Sequence, residues 1–316
     1  MKPPSTVQDL YNAVGKRLAF HWLTEENGAQ IPLKGHFPGA DQQGLVGTLN
    51  CIHPNRIQII GHAETVYLTD MEEISYRETL DKLFSNNPAA IVFSDDIRPT
   101  DDLLERAKAS GTPLLSSPLP DTQLVSNLHY YLSSALAERI TLHGVFIEVM
   151  GSGILLTGPS SVGKSELALA LISRGHRLIA DDAPEFAQVA PDILTGQCPP
   201  LLQDLLEVRG LGILNIRAMY GEGAVRRKKN LHLVIELKEM DDEALARMDR
   251  LRGARSERNI LGVTIPQITI PVAQGRNLAI LVEAATQNHA LRLKGYDASE
   301  DFSARQQELI NAGHNE

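Results

Sequence analysis

Residues 153–175 read GILLTGPSSVGKSELALALISRG, and the eight residues 158–165 within them fit the pattern G-x-x-x-x-G-K-[ST]. The flanks give that pattern its meaning. Gly153 to Gly158 supply a short apolar strand, and Lys164 to Gly175 supply apolar residues at helical spacing closed by a glycine. Strand, loop and helix in that order form the setting in which such a loop cradles phosphate. Backbone N–H groups of Gly158, Pro159's successors Ser160, Ser161, Val162 and Gly163, and of Lys164 and Ser165, can cup a polyphosphate at the positive end of the helix. The Lys164 ammonium is expected to neutralise phosphate charge, and the Ser165 hydroxyl to reach Mg²⁺. The fold expected around this stretch is α/β.

Moving outward, the strand-like run Leu178 to Ala180 delivers Asp181 and Asp182 to its end. Carboxyl ends of strands in open α/β sheets face the ligand crevice, so either carboxylate can approach the terminal phosphate. One suits a magnesium ion and the other suits a proton from an incoming hydroxyl. Further on, LEVRGLGILNIR (206–217) packs Glu207, Arg209, Gly210, Gly212 and Asn215 together. Glu207 could join Ser165 on Mg²⁺, since a small hard cation takes oxygen ligands and keeps waters; a turn between two strands explains the segment equally well. GEGAVRRKK (221–229) reads either as a basic loop contacting phosphate or partner, or as a solvated loop.

The chain has 316 residues, 43% of them hydrophobic, with a formal charge of −9. That length suits two domains, expected at 1–130 and 131–316. The acidic balance argues against nucleic acid as a partner. No stretch reaches the roughly 18 apolar residues of a membrane helix, and the first twenty residues have no signal-peptide core, so a cytoplasmic enzyme is expected. The two cysteines, Cys51 and Cys198, are too few and too far apart for a thiolate zinc site.

The first third alternates apolar runs (57–61, 89–96) with a segment over 101–117 in which a helix crosses over and the next strand starts at PLLSS, the rhythm of an α/β unit. A helix over 121–140 is expected to link the two domains. Strands GVFIEVM and GILLT are expected to form a hairpin through Gly151-Ser152-Gly153. VTIPQITIPVAQGRN (263–277) carries two prolines and is expected to be edge-like or irregular. Helices are expected over 277–295 and 298–313.

Taken together, HGVFIEV, GKSELALALISRGH, LIADDAPE, LEVRGLGILNIR and ITIPVAQGRNLA, in that order, resemble the bacterial HPr kinase/phosphorylase family. The likeness is close from about 140 to 295 and looser in the first third, through LNCIHPNRIQIIG. The resemblance implies a nucleotide site akin to that of phosphoenolpyruvate carboxykinase, and a bifunctional enzyme. Such an enzyme uses ATP to phosphorylate a serine of the phosphocarrier HPr, and uses phosphate to remove it as pyrophosphate, which also stands as an alternative donor. It further implies His143, Lys164, Asp182 and Arg250 as active-site residues, with Asp182 the proton acceptor. Ser165 and Glu207 are implied as Mg²⁺ ligands. Leu206, Glu207, Val208, Arg209, Gly210, Leu211, Gly212, Ile213, Leu214 and Asn215 match a segment serving both reactions. Pro271, Val272, Ala273, Gln274, Gly275 and Arg276 match one tied to dephosphorylation. A homohexamer regulating the phosphotransferase system and carbon metabolism is implied. Two departures stand out: the family's tyrosine two residues before the arginine is Met248 here, and its loop glycine is Ser161. At φ > 0 a serine costs on the order of 1 kcal/mol. The competing readings are a nucleotide-switched sensor or scaffold and a small-molecule kinase.

Overall fold

The computed structural model describes residues 5–24, 28–33, 44–52, 54–240, 253–273 and 276–313. The chain divides into two compact units, Met1–Ala137 and Glu138–Glu316.

The first unit runs α1 (Val7–Val14), β1 (His21–Trp22), β2 (Gly44–Thr48), β3 (Asn55–Ile60), α2 (His62–Thr69), α3 (Glu73–Ser85), β4 (Ala90–Phe93), α4 (Asp101–Ser110), β5 (Leu114–Ser116) and α5 (Asp121–Ala135). Strands β2 to β5 are parallel neighbours in chain order, and β1 closes the edge antiparallel to β5. Alternate β3 and β4 residues enter opposite layers: Ile59 and Val92 pack towards α1 and α5, Ile60 and Phe93 towards α3 and α4. Burial on both faces explains why β4 reads as an unbroken apolar run, while β3 is buried from Arg56 to Ile60 with Gln58 included. The sequence-based boundary near 130 falls inside α5. That helix buries Leu124, Leu128 and Leu132 in the first unit's core, and its expected continuation to 140 fails because Arg139–Thr141 pair with a strand instead.

The second unit continues with β6 (Arg139–Thr141), β7 (Val145–Val149), β8 (Ser152–Thr157), α6 (Lys164–Ser173), β9 (Arg177–Ala180), β10 (Glu185–Ala190), β11 (Ile193–Gln197), β12 (Leu205–Val208), β13 (Gly212–Asn215), α7 (Ile216–Tyr220), β14 (Lys228–Glu239), β15 (Ala254–Ile260), β16 (Val263–Val272), α8 (Leu278–Leu293) and α9 (Ala298–Gly313). Nine strands form one sheet, ordered β6-β10-β11-β14-β8-β7-β9, with β16 also on β14 and β15 on β16. The β7–β8 turn is Met150-Gly151, both at positive φ, one residue earlier than the glycines suggest. Ile154 and Leu156 face α6 and α8, while Leu155 packs with Phe146, Phe186 and Val234 on the other side.

Strand β16 is an inner strand, not an edge. Its pairing with β15 spans 263–269 and its pairing with β14 spans 267–272, so Pro266 and Pro271 each lie where only one neighbour is paired. A missing N–H is tolerated there because the other side asks for no ladder bond. The basic stretch is also less loose than its composition suggests. Arg226 donates its backbone N–H to Leu178 O, and its guanidinium lies 2.6 Å from the buried Glu148 carboxylate, which Lys229 and Arg177 also approach.

The strand directions locate the site. β8 runs parallel to β14, and β14 parallel to β16, whereas β7 is antiparallel to both β8 and β9. The carboxyl ends of β8, β9, β14 and β16 therefore share one sheet edge with the amino end of β7.

Candidate active site

That shared edge brings His143 before β7, the 158–165 loop after β8 and the Asp pair after β9 to one place. Gly158 has φ 142°, and a Cβ there would lie 2.4 Å from Leu237 O on β14. Only glycine lets the loop leave β8 so close to that neighbour. Gly163 (φ 92°) turns the chain into α6. Val162 anchors the loop from below in the core, while Ser160, Ser161, Gly163, Lys164 and Ser165 line an open cleft of about 290 Å³. The Lys164 ammonium donates to Gly158 O at 3.0 Å and Pro159 O at 2.8 Å, so it is held over its own loop. Ser161 takes φ 71°, the left-handed conformation in which serine is strained.

The two carboxylates after β9 have different surroundings. Asp181 is buried and accepts the Glu207 backbone N–H at 2.9 Å. Burial pushes its carboxyl above the usual range, and that bond and the Asp182 N–H oppose the shift. Asp182 sits at φ 66°, which swings its side chain out, 71% exposed, to within 2.9 Å of His143 Nδ1. An Nδ1–H there donates to the carboxylate and orients it. Both aspartates line the cleft.

Glu207 and Arg209 reach the same cleft from the β12–β13 hairpin. Alternation along β12 drives Leu206 and Val208 into the core against α6 and leaves Glu207 outside. Arg209, Gly210 (φ 86°) and Leu211 make the turn into Gly212 (φ 81°), with Leu211 N–H donating to Val208 O. Leu214 is half-buried against the core, and Asn215 caps α7 by accepting the Ala218 N–H at 2.9 Å. The segment is thus a turn between two strands, and it places Glu207 and Arg209 on the cleft.

Among the described lining residues, four carboxylates (Glu166, Asp181, Asp182, Glu207) face two permanent cations (Lys164, Arg209). A polyphosphate entering so acidic a cleft needs a further cation. Among the described residues no three His, Cys, Asp or Glu side chains stand close enough to cage a metal. The Ser165 hydroxyl and the Glu207 carboxylate on the cleft fit a small hard ion whose shell phosphate oxygens and water would complete, as Mg²⁺ prefers.

Pro271 and Val272 end β16, and Ala273 O accepts the Arg276 N–H, but none of these four lines the cleft. Arg250, Gln274 and Gly275 lie outside the described residues. Two lining residues had no sequence signal of their own. Glu166 reads as an ordinary first-turn acid, favourable at any helix start, and Gly144 as a plain pre-strand glycine. Among the described residues no helix is long and apolar enough to cross a membrane.

Two family models match the chain: HPr Serine kinase N terminus over residues 5–132, and HPr Serine kinase C-terminal domain over 134–306. Proteins named HPr kinase/phosphorylase from Xanthomonas campestris pv. campestris and Stenotrophomonas maltophilia are each 44% identical over 311 residues, covering 98% of this chain and 98% of theirs. A solved structure of the Hpr(Ser) kinase/phosphatase from Coxiella burnetii is 36% identical, with a TM-score of 0.46, covering 52% of this chain and 98% of its own.

Proposed function

Because the chain belongs to the HPr kinase/phosphorylase family, we propose that it is an ATP-dependent serine kinase of the phosphocarrier HPr and, with inorganic phosphate, the phosphorylase that reverses the modification. The observation that carries this reading is the exposed Asp182 carboxylate, held by His143 in the cleft that Lys164 and the phosphate loop line. A nucleotide switch needs the loop and the lysine. It has no use for a free, oriented base beside them.

In the kinase direction Asp182 takes the seryl proton, the seryl oxygen attacks the γ-phosphorus, and the bond to the β,γ-bridging oxygen breaks to release ADP. In the reverse direction a phosphate oxygen attacks the phosphoseryl phosphorus, the seryl oxygen leaves with the proton returned by Asp182, and pyrophosphate forms. Lys164 and the loop N–H groups hold the transferring charge. Mg²⁺ bound by Ser165 and Glu207 would neutralise phosphate oxygens in both directions. Asp181 is a positioning residue: its bond to the Glu207 N–H ties the hairpin to β9. Leu206 to Asn215 serve both directions in this reading, Pro271 to Arg276 and Arg250 are assigned to the reaction by family resemblance alone, and pyrophosphate can replace ATP as donor. The enzyme acts in the cytoplasm as a homohexamer, within the phosphotransferase system.

Incubation of the purified chain with Mg-ATP and HPr, followed by inorganic phosphate, tests the reading. An acid-stable phosphoserine that forms and then disappears as pyrophosphate is released is expected. Unchanged HPr mass after the first step would sink it.

A further inference from the structure

The described lining of the cleft is polar, yet two aliphatic side chains on the hairpin that contributes to it are exposed. Leu211 is 66% exposed and Ile213 is 70% exposed, on the same hairpin that carries Glu207 and Arg209. The register fixes where Ile213 sits. β12 and β13 are antiparallel, with Glu207 opposite Ile213 and Leu206 opposite Leu214. Directly opposed residues share a face with their Cβ atoms about 5 Å apart. Leu206 is fully buried and Leu214 half-buried on the core face, so Ile213 lies on the cleft face beside Glu207.

Neither a nucleotide phosphate nor a hydrated cation gains from an aliphatic neighbour at that point. The acceptor does. Asp182 and Glu207 line the same cleft, so the hairpin flanks a hydroxyl delivered to Asp182. We propose that Ile213 and Leu211 form the docking strip for the acceptor, and that they select a protein segment carrying an apolar side chain beside the modified serine. Ile213 is paired with Glu207, and Leu211 lies in the turn between Ile213 and Arg209; Glu207 and Arg209 line the cleft, and Arg209 adds a cation for the acceptor's polar backbone or its phosphorylated form. A small-molecule acceptor would leave both aliphatic residues in water.

The inference rests on the kinase reading above, and one set of measurements separates the two. Ile213→Ser, Leu211→Ser and the double variant are compared with the wild type for phosphorylation of HPr, varying HPr and ATP in turn, with Ile213→Val as the conservative variant. Thermal melts establish that each variant folds. The expected result is a KM for HPr raised about tenfold in the double variant, with the KM for ATP unchanged within about twofold and Ile213→Val close to wild type. An unchanged KM for HPr in an active, folded double variant overturns the docking strip and leaves the kinase reading intact. A parallel rise in the KM for ATP overturns it too, since the residues would then act through the hairpin's shape. Wild-type protein inert towards HPr would bring down the kinase reading, and the strip with it.

Discussion

Each unit has a strand that ends in the same way. In the first, β4 runs Ala90–Phe93 into Ser94-Asp95-Asp96; in the second, β9 runs Arg177–Ala180 into Asp181-Asp182. Both strand ends bend through aspartates at positive φ: 53° and 54° at Asp95 and Asp96, 66° at Asp182. Aspartate visits that region more readily than most residues, so each pair works as a strand terminator. The difference lies in the neighbours. Asp95 accepts a hydrogen bond from Ser94 Oγ, and the backbone N–H groups of Asp95 and Asp96 donate to Leu119 and Ser117 carbonyls, all within the loop's own surroundings. Asp181 and Asp182 stand one strand away from a phosphate loop, with a histidine on one carboxylate and a hairpin N–H on the other. A paired carboxylate at a strand end is a local feature, and topology decides whether it becomes a chemical one.

The widest gap between the two pairs is expected in turnover. Asp182→Asn should lower both the HPr phosphorylation rate and the phosphorolysis rate by about a hundredfold or more, the usual loss for a general base. Asp95→Asn should leave both rates alone and shift stability by no more than about 0.5 kcal/mol. Steady-state rates in both directions decide it. An Asp182→Asn enzyme with wild-type rates would return the second pair to the status of the first. Next in size is Glu207→Gln, which keeps the hairpin but removes a negative oxygen from the cleft. The Mg²⁺ concentration for half-maximal kinase activity should rise about tenfold, with much of the maximal rate recovered at high Mg²⁺. A half-maximal concentration that does not move would remove Glu207 from the metal site.

The contrast explains what could be read in advance. The loop, its helix and the α/β class were legible because a single contiguous stretch carries all the signals: apolar strand, glycines, Lys164, helical spacing. The Asp pair was legible as two candidates. Separating a buried Asp181 from an exposed Asp182 depends on φ at one residue and on a hairpin 26 positions away, and no local pattern reports either. Prolines misled the reading of β16 because staggered pairing, a property of three strands at once, gives each proline a free side. The extension of α5 to 140 failed for a similar reason: the pairing of β6 with β10 outweighs helical periodicity.

The units also differ in how they tie helices together. In the first, Arg106 of α4 pairs with Asp81 of α3, whose side chain is 71% exposed. In the second, Glu283 of α8, only 13% exposed, receives Arg174 through two hydrogen bonds and His176 through a third, joining α8 to the chain that leads from α6 into β9. The Arg174 hydrogen bonds draw the Glu283 carboxyl down from 4.5 to about 2, with His176 helping and burial opposing. A depressed carboxylate contributes stability that is present above its unfolded value and lost as pH falls through the folded one. Glu283→Gln should therefore cost about 1 to 2 kcal/mol in urea unfolding at neutral pH, and the gap from wild type should narrow as pH falls from 4.5 towards 2. Arg106→Gln should cost less than about 1 kcal/mol, as exposed pairs do. A Glu283→Gln penalty that stays constant on acidification would mean the network acts by packing alone.

The smallest effect concerns the loop itself, and it sets serine against aspartate at positive φ. Asp95 and Asp96 hold that conformation at a strand end, whereas Ser161 holds φ 71° in the loop that lines the cleft, where the family resemblance leads one to expect glycine. Two terms oppose each other on Ser161→Gly. Relief of left-handed strain favours the variant by about 1 kcal/mol, while the greater freedom of glycine in the unfolded chain costs about 0.4 to 1 kcal/mol. Global stability should therefore change by no more than about 0.5 kcal/mol. Ser161→Ala separates the terms: alanine keeps the strain, loses the hydroxyl, and leaves the unfolded chain nearly as it was. If strain in the loop weighs on nucleotide binding, glycine should bind a fluorescent ATP analogue several-fold more tightly than alanine, with serine close to alanine. Equal affinity across the three would show that the loop carries Ser161 at no cost to its ligand. A weaker Kd for both variants than for serine would show instead that the hydroxyl itself contacts phosphate, making the departure from glycine a gain.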